Sequence, residues 1–330
     1  DGPVRLHLHA RGALSNLQIE AQPVAALLGD DDVLLRVRAV GLNFRDVLNV
    51  LGQYPGDPGP PGSDMAGVVS GGGSRLAVGA PSFGLCDSPL ACVARTTPLL
   101  LAPKPVSVSF EQACTLPVAW STTHVAVERA GLRRDSAIIV QAAAGGVGLK
   151  TVEYAHWLDA PAVGTAGLPH KHAQLRRAGV YACSSRDSSA FALGAAQTFG
   201  GGWRFGVVLN SLSLDFIATS FALLGEGGAF EEIGKRGIWA SLRHLASTPT
   251  TAYCAIALDA DTARDAGWMH KLLGLLALRA GVQATASLPV QSFDMETRYE
   301  SAFRVLQSGR NTGKIVVRIS APHRLGGGHG

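Results

Sequence analysis

Residues 137–148 read AIIVQAAAGGVG, an apolar run that ends in Gln141 and passes into a glycine-rich stretch. The run Ala137–Gln141 is short and rich in β-branched side chains, which is typical of a buried strand. The glycines that follow permit a tight turn and a close approach of the backbone to a ligand. Because residues 148–158 then have the length of a helix, the stretch predicts a strand, a turn and a helix N-terminus.

A turn of this kind is suited to a dinucleotide. The free backbone amides and the positive end of the helix dipole favour a pyrophosphate. The spacing departs from the full G-x-G-x-x-G pattern, and any tight strand-to-helix turn can use such glycines. The flanking strand and helix favour the binding site over a purely structural turn. The cofactor-binding residues predicted in the turn are Ala144, Gly145, Gly146, Val147 and Gly148.

The sequence after about residue 121 alternates short apolar strands with segments of helical length. The predicted strands are 137–141, 162–166, 206–209 and 228–233, and the predicted helices are 148–158, 172–178 and 216–223. This order predicts parallel strands joined by right-handed crossovers. The fold class is therefore α/β, with a doubly wound parallel sheet of the Rossmann type. Two helices, 265–280 and 296–307, and a strand, 314–319, are predicted to follow.

The N-terminal part has a different pattern. Residues 33–40 alternate apolar and polar side chains after three aspartates, as a half-buried strand does. Residues 52–62 hold so many Gly and Pro that neither a helix nor a ladder strand is expected there. Short strands and loops are predicted up to about residue 84.

The composition narrows the class of protein. With 29 Lys plus Arg against 25 Asp plus Glu, the net charge of +4 does not favour a nucleic-acid partner. A chain of 330 residues with 47% hydrophobic residues is long enough for two domains. The apolar stretches are shorter than the ~20 residues of a membrane helix, so a soluble protein is predicted. The start lacks Met and an export signal, which predicts a cytoplasmic segment of a longer chain.

Cationic residues follow the second predicted strand of the α/β part. NAD enzymes place an acid at the end of this strand to bind the ribose, but the strand ends at Thr165 and Ala166. Lys171 and Arg186 lie beyond it and are suited to a 2′-phosphate. Solvated surface charges are the alternative. The sequence therefore predicts NADPH, with Thr165, Lys171 and Arg186 among its contacts.

Cysteine and histidine spacings predict no metal site. The five cysteines lack the close pairs of zinc sites or disulfide frameworks, so buried thiols in a reducing compartment are expected. His7 and His9 alternate on one predicted strand, and His170 and His172 are expected in a loop. None has a Cys or carboxylate at ligand spacing.

Several motifs, taken together, resemble one family. The segments that carry the resemblance are Val40–Leu48, Tyr54–Gly56, Gly62–Val69, the turn at 142–148, Val208–Leu212, Glu232–Lys235 and Thr312–Lys314. In this order they are similar to the zinc-independent medium-chain dehydrogenase/reductases, and within them to the enoyl reductase domains of modular polyketide synthases and animal fatty acid synthase. Zinc-dependent relatives have a Cys where Asn43 stands.

The resemblance implies a fold, a reaction and partners. The Rossmann-type sheet is expected as an insertion in a discontinuous GroES-like β-barrel substrate domain. The implied reaction reduces a trans-2-enoyl thioester on an acyl carrier protein, with hydride from NADPH to the β-carbon and a proton to the α-carbon. Neighbouring ketoreductase and dehydratase domains of the same multienzyme are the further partners. The expected domains are substrate-binding at 1–120 and 258–320, NADPH-binding at 121–257, and a linker at 321–330.

The resemblance also implies three catalytic residues. Hydride addition creates an enolate, so charge must be stabilised and a proton supplied. Tyr54 matches a tyrosine of many such domains and is a candidate proton donor. Lys235 and Asp259 match the family's Lys/Asp pair near the nicotinamide. The alternatives are a buried tyrosine with a satisfied hydroxyl and a surface ion pair, and which residue donates the α-proton stays open.

Further site residues rest on the same resemblance. Arg45 and Asp46 are expected to contact substrate, although Arg45 could instead hold a loop through Asp46. Thr122 is expected near the cofactor, with helix N-capping as the alternative. The other cofactor-binding residues implied by the family are Asn43, Asn210, Ser211, Leu212, Gly234 and Lys314.

Two other functions are consistent with the sequence. A free-standing quinone or enone reductase of the same superfamily would share the fold and the cofactor. An inactive structural domain inside a megasynthase would share the fold alone. Acyl chain length, the α-substituent, stereochemistry and oligomeric state are not encoded in patterns of this kind.

Overall fold

The computed structural model describes residues 2–24, 29, 31–72, 76–200 and 204–320. The predicted linker 321–330 lies outside these residues. The chain divides into unit 1, Asp1–Val118 with Thr262–Gly330, and unit 2, Ala119–Asp261. The substrate-binding and cofactor-binding roles of the two parts stay predictions.

Fifteen strands and eleven α-helices lie in the described part of the chain. The strands are β1 Val4–Leu8, β2 Leu17–Ala21, β3 Val33–Leu42, β4 Asp64–Gly72, β5 Pro81–Leu85, β6 Val93–Thr96, β7 Leu101–Pro103, β8 Ile138–Val140, β9 Ala162–Ala166, β10 Tyr181–Ser184, β11 Phe205–Asn210, β12 Leu224–Glu232, β13 Ala252–Ala255, β14 Val290–Asp294 and β15 Lys314–Arg318. The helices are α1 Phe44–Val50, α2 Phe110–Ala113, α3 Pro117–Ala130, α4 Gly146–Trp157, α5 Pro169–Arg177, α6 Ser188–Gln197, α7 Asp215–Leu223, α8 Ser241–Ser247, α9 Leu258–Arg264, α10 Ala266–Gly281 and α11 Met295–Gln307.

Unit 2 confirms the predicted doubly wound sheet. Its six strands lie in the order β10-β9-β8-β11-β12-β13, and every neighbouring pair is parallel. The apolar strand residues that the sequence shows, such as Ile139, Val163 and Val208, are buried in its core. The strand order reverses between β8 and β11, which is where such sheets bind ligands at their carboxyl ends.

Unit 1 is built on a second sheet of seven strands. Their order is β14-β15-β3-β4-β5-β7, and β6 also pairs with β3. The long strand β3 pairs with β6 over Val33–Arg36 and with β15 over Ala39–Leu42. All of these pairs are antiparallel except β14 with β15. Because β15 comes from the end of the chain, the two segments of unit 1 share one sheet and one core.

The structure corrects two details of the sequence analysis. His170 and His172 lie on α5 rather than in a loop, because Pro169 at its first position favours a helix start. The region predicted as short strands and loops also contains the helix α1, which begins directly after β3.

Candidate cofactor and active site

The strand β8 leads directly into the glycine turn. Ala142 lies in the left-handed region with φ of +50°, and Gly145 donates its backbone N–H to the Ala142 carbonyl oxygen at 2.9 Å. Residue 148 must be glycine, since a Cβ there would lie 2.6 Å from the Ala143 Cα. The helix α4 begins at Gly146, and within the described chain no side chain caps it. Its first backbone amides therefore have no side-chain acceptor, as an anion site needs.

A buried polar network holds the turn in place. The Thr165 hydroxyl donates to Gln141 Oε1 at 2.7 Å and accepts from the Ala142 backbone N–H at 3.0 Å. Gln141 Nε2 donates to Ser220 Oγ at 2.9 Å. Thr165, predicted to bind the cofactor, thus uses its hydroxyl to fix the turn. Gln141 and Ser220 were missed by the sequence analysis, and the one available signal was a polar residue ending an apolar strand.

Two cations lie beyond the ends of β9 and β10. Lys171 is buried on α5, and Arg186 is exposed after β10. The Arg186 Nε lies 2.9 Å from the position that a Cβ on Gly167 would take. Burial lowers the pKa of Lys171, and the nearby charge of Arg186 lowers it further. The two predicted phosphate ligands therefore share one region, and no acidic residue stands between Thr165 and Lys171.

The strands β11 and β12 end side by side, with Asn210 in register with Glu232. Asn210 Nδ2 donates to Glu232 Oε2 at 2.6 Å and to the Leu212 carbonyl oxygen at 2.7 Å. The Gly234 backbone N–H donates to Glu232 Oε1 at 2.6 Å. The predicted residues Asn210, Leu212 and Gly234 are thus connected through Glu232, which the sequence analysis did not assign. Ser211 Oγ donates to the Gln141 carbonyl oxygen at 3.3 Å, which joins this edge to the glycine turn.

Lys235 and Asp259 follow the ends of two neighbouring strands, β12 and β13. The half-buried Lys235 Nζ donates to the Ile256 carbonyl oxygen at 3.2 Å, just past the end of β13. Asp259 follows three residues later, in the first turn of α9. Thr122 is buried inside α3, which begins at Pro117, so the alternative of N-capping by Thr122 is wrong.

Unit 1 holds a buried ion pair between the predicted residue Lys314 and Asp64, and the predicted residue Asn43 hydrogen-bonds to both of them. Lys314 Nζ lies 2.6 Å from Asp64 Oδ2 and 2.6 Å from Asn43 Oδ1. Asn43 Nδ2 donates to Asp64 Oδ2 at 2.8 Å, and the Val118 backbone N–H donates to Asp64 Oδ1 at 2.7 Å. The observed partners of Lys314 are internal, and its contact with cofactor stays a prediction. Asp64 was not predicted, because its partner lies 250 residues away.

Asp46 has structural partners at both carboxylate oxygens, and its predicted contact with substrate stays a prediction. Its carboxylate is 2% exposed and accepts the backbone N–H of Asn43 at 2.7 Å and of Gly62 at 2.8 Å. Burial raises the pKa of Asp46, and these two N–H donors oppose the rise. Both oxygens are used inside unit 1, so the side chain fastens the start of α1 to the end of the Gly/Pro-rich loop.

Arg45, on α1, lies against Tyr54 of this loop. The Arg45 guanidinium lies over the Tyr54 ring, with Cζ 5.2 Å from the ring centroid. Arg45 Nη2 also donates to the Pro58 carbonyl oxygen at 3.0 Å. Arg45 therefore holds the loop through Tyr54 and Pro58, and its positive charge also acts to lower the pKa of Asp46. The Tyr54 side chain is half-buried.

The residues of unit 2 fit a dinucleotide cofactor. An open helix N-terminus suits a pyrophosphate, and it lies at the point where the strand order reverses. The Asn210–Leu212 segment borders the same point, and the cation pair lies beyond the next two strand ends. Among the described residues, no group of three or more His, Cys, Asp or Glu is placed to hold a metal ion. No described helix has the length and apolar character to cross a membrane.

Comparison with known proteins agrees with this geometry. Residues 29–96 match the family model of the alcohol dehydrogenase GroES-like domain. The chain is 36% identical over 317 residues to the spectinabilin polyketide synthase system protein NorB of Streptomyces orinoci, a match that covers 93% of this chain and 14% of NorB. The chain thus spans about a seventh of the length of that relative.

Solved structures extend the comparison to the whole fold. The CurK enoyl reductase superposes with a TM-score of 0.89 at 31% identity, covering 97% of this chain and 100% of that one. The mycobacterial protein Rv1454c, solved in complex with NADPH, superposes with a TM-score of 0.85 at 21% identity, covering 96% of this chain and 100% of that one. At this lower identity the likeness shows the fold alone.

Proposed function

Because the chain belongs to the enoyl reductase domains of polyketide synthases, in the medium-chain dehydrogenase/reductase superfamily, we propose that it reduces the α,β double bond of a trans-2-enoyl thioester with NADPH. The observation that carries the proposal is the glycine turn at the reversal point of the sheet, where α4 presents uncapped amides. When bound, NADPH supplies the hydride that reaches the β-carbon.

The preference for NADPH over NADH rests on charge. An enzyme that binds the ribose of NAD uses an acidic residue after the second strand of the sheet. This chain has Thr165 and Ala166 there, with Lys171 and Arg186 in the same region. Two cations suit a 2′-phosphate through charge-assisted hydrogen bonds.

Two tasks of the proposed reaction fall to side chains: stabilising the negative charge that hydride addition creates, and supplying the α-proton. We assign these tasks to Lys235, Asp259 and Tyr54. The Lys235 ammonium uses one of its three N–H donors on Ile256, and the others are suited to the negative charge that develops on the thioester oxygen. Asp259 orients and charge-balances this lysine. The Tyr54 hydroxyl is the candidate donor of the α-proton, with its ring position set by Arg45.

The proposed substrate is carried on an acyl carrier protein. NorB is a polyketide synthase system protein much longer than this chain, of which the matched region is 14%. Ketoreductase and dehydratase domains of the same multienzyme are the proposed neighbours, since a dehydratase produces the enoyl group that this reaction consumes.

A single assay tests the reaction and its rivals. Oxidation of NADPH and of NADH is followed with a crotonyl thioester and with a simple quinone. We expect thioester reduction with NADPH preferred. A quinone-only response would indicate a free-standing quinone reductase, and no response from folded protein that binds no NADPH would indicate a structural domain.

The catalytic residues are tested in a double variant. Tyr54→Phe with Lys235→Met should lower turnover at least about 100-fold, the scale of positioned acid–base groups, while NADPH binding by calorimetry is retained. Tyr181→Phe with Lys271→Met is the matched control, since both residues are exposed and outside the proposed site. Wild-type turnover in the Tyr54/Lys235 variant would remove both residues from the mechanism.

A further inference from the structure

Glu232 lies between two segments to which the proposed function gives direct roles. The segment Asn210–Leu212 follows β11, and the segment Gly234–Lys235 follows β12. Glu232 is 1% exposed and contacts both of them at its two carboxylate oxygens. Neither the reaction nor the dinucleotide site described above assigns a role to this buried carboxylate.

The two hydrogen bonds of Glu232 depend on its being an acceptor at both oxygens. Asn210 Nδ2 and the Gly234 backbone N–H are donors, each 2.6 Å from a carboxylate oxygen. The Asn210 side-chain amide cannot rotate by 180° without losing two further contacts. Its Nδ2 also donates to the Leu212 carbonyl oxygen, and its Oδ1 accepts from the Leu212 backbone N–H. A protonated Glu232, or a glutamine in its place, would have an O–H or N–H donor facing either Asn210 Nδ2 or the Gly234 N–H, which are donors themselves.

We propose that Glu232 is a positioning residue that, as a carboxylate, couples the Asn210–Leu212 segment to the Gly234–Lys235 segment and so aligns both for the cofactor and the substrate. The proposal rests on the proposed function, because that function makes the two segments neighbours of the nicotinamide. The main chain completes the connection: the Ile256 N–H donates to the Glu232 carbonyl oxygen at 2.8 Å, and Lys235 Nζ donates to the Ile256 carbonyl oxygen at 3.2 Å.

The surroundings of Glu232 make this coupling sensitive to pH. Burial raises the pKa of Glu232 to about 7, and hydrogen bonds from Asn210 and Gly234 and the charge of Lys235 partly oppose the rise. From β13, Tyr253 faces it, and the Glu232 charge helps to raise the pKa of that phenol. β11 contributes only the neutral Asn210. As pH falls through about 7, the carboxyl gains a proton and loses one acceptor, so cofactor affinity should fall.

Glu231 provides a matched control on the same strand. It is buried like Glu232, and burial raises its pKa to about 7 as well. Adjacent residues of a strand point to opposite faces, and the charge that acts on Glu231 is that of Arg129. Glu231→Gln therefore removes a comparable buried carboxylate without contact to either segment.

The experiment compares Glu232→Gln, Asn210→Asp, the swapped pair that combines these two substitutions, and Glu231→Gln. In the swap, the new amide at position 232 donates to the new carboxylate at position 210 and accepts from the Gly234 N–H, which restores both contacts of position 232, while the Leu212 carbonyl oxygen loses its donor at position 210. We expect Glu232→Gln to raise the Kd for NADPH and to lower kcat by about tenfold each, the scale of one charge-assisted hydrogen bond. The swap should recover part of both losses, so that its losses are smaller than the sum of the losses in the two single variants. The pH dependence of the Kd near 7 should differ from wild type in Glu232→Gln and persist in Glu231→Gln.

Amide hydrogen exchange supplies a readout without cofactor. Exchange in residues 210–214 or 232–236 should be faster in Glu232→Gln and return toward the wild-type rate in the swap, with melting temperatures reported for all variants. Additive losses in the folded swap, or wild-type exchange and affinity in Glu232→Gln, would overturn the coupling. A folded wild type that binds no NADPH would instead overturn the proposed function, and this inference with it.

Discussion

Each unit buries a carboxylate at one end of a strand, where it accepts a hydrogen bond from an asparagine. The other partners of the two carboxylates differ. In unit 1, Asp64 accepts from Asn43 and forms an ion pair with Lys314 at 2.6 Å. In unit 2, Glu232 accepts from Asn210 and Gly234, and no cation of the described residues forms an ion pair with it. The Lys235 charge acts on Glu232 from farther away.

The difference separates a fixed scaffold from an adjustable contact. A buried carboxylate that forms an ion pair with a lysine keeps that partner, because removing either charge leaves the other one buried and unpaired. A buried carboxylate held by neutral donors is costly to ionise, so its protonation can change near neutral pH. Asp64 therefore joins β4 rigidly to β15, whereas Glu232 connects segments whose alignment depends on conditions.

The largest effect is expected where the ion pair is broken. Lys314→Met leaves Asp64, 0% exposed, with a charge and no ionic partner. Breaking a buried pair from one side costs about 3–5 kcal/mol, so the free energy of unfolding in urea should fall by that amount. Asp64→Asn added to Lys314→Met removes both charges and should recover part of the loss. Equal stability of wild type and Lys314→Met would show that the pair contributes nothing.

The pH dependence of stability is expected to come from unit 2. The folded pKa values of Glu231 and Glu232 are about 7, raised from 4.5. Between these values each of the two groups binds more protons in the folded state than in the unfolded state, so their contribution to stability is fully present below about pH 4.5 and is lost as pH rises through about 7. Each group should contribute on the order of 2–3 kcal/mol to this fall.

Urea unfolding from pH 4.5 to 8 tests this expectation. Glu232→Gln and Glu231→Gln should each flatten the curve by a comparable amount, and the two together should flatten it most. If both variants flatten the dependence of stability on pH equally but only Glu232→Gln weakens NADPH binding, the stability effect comes from burial, which Glu231 and Glu232 share. The affinity effect then comes from position, in which the two residues differ. A double variant that keeps the wild-type slope would contradict the assignment to these carboxylates.

The fold could be predicted where its signals are local. The strands β3, β8, β9, β11 and β12 and the helices α4, α5, α7, α10 and α11 follow from apolar runs and periodicity, with ends that differ by a few residues. The strands β10 and β13 were missed because they are four residues long and only partly buried, so no apolar run marks them. The helix α1 was missed because the Gly/Pro-rich loop after it dominates the local pattern.

The residues of the candidate site also divide into those with a local signal in the sequence and those without one. Twelve consecutive residues, 137–148, contain the signal for the glycine turn. Lys171 and Arg186 were predicted from their place in the sequence after the strand 162–166. The buried carboxylates gave no such signal: Asp64 meets Lys314 across 250 residues, and Glu232 meets Asn210 across 22. Such pairs depend on strand order and register, which a sequence pattern does not specify. The structural contact of Asp46 gave no signal for the same reason, because its backbone partner Gly62 is supplied by a loop.

The smallest effect is expected from crowding Glu232 rather than removing it. A Cβ on Gly234 would lie 2.6 Å from Glu232 Oε1, an atom at the end of a side chain that can move. Gly234→Ala should therefore displace the carboxylate and weaken one hydrogen bond, at a cost of about 1 kcal/mol in urea unfolding. Because the obstruction is the carboxylate itself, the same substitution should cost less in a Glu232→Ala background. Gly274→Ala, on α10 with open space around it, is the control and should be neutral or slightly stabilising. Equal costs of Gly234→Ala in both backgrounds would mean that its backbone, and not Glu232, sets the requirement for glycine.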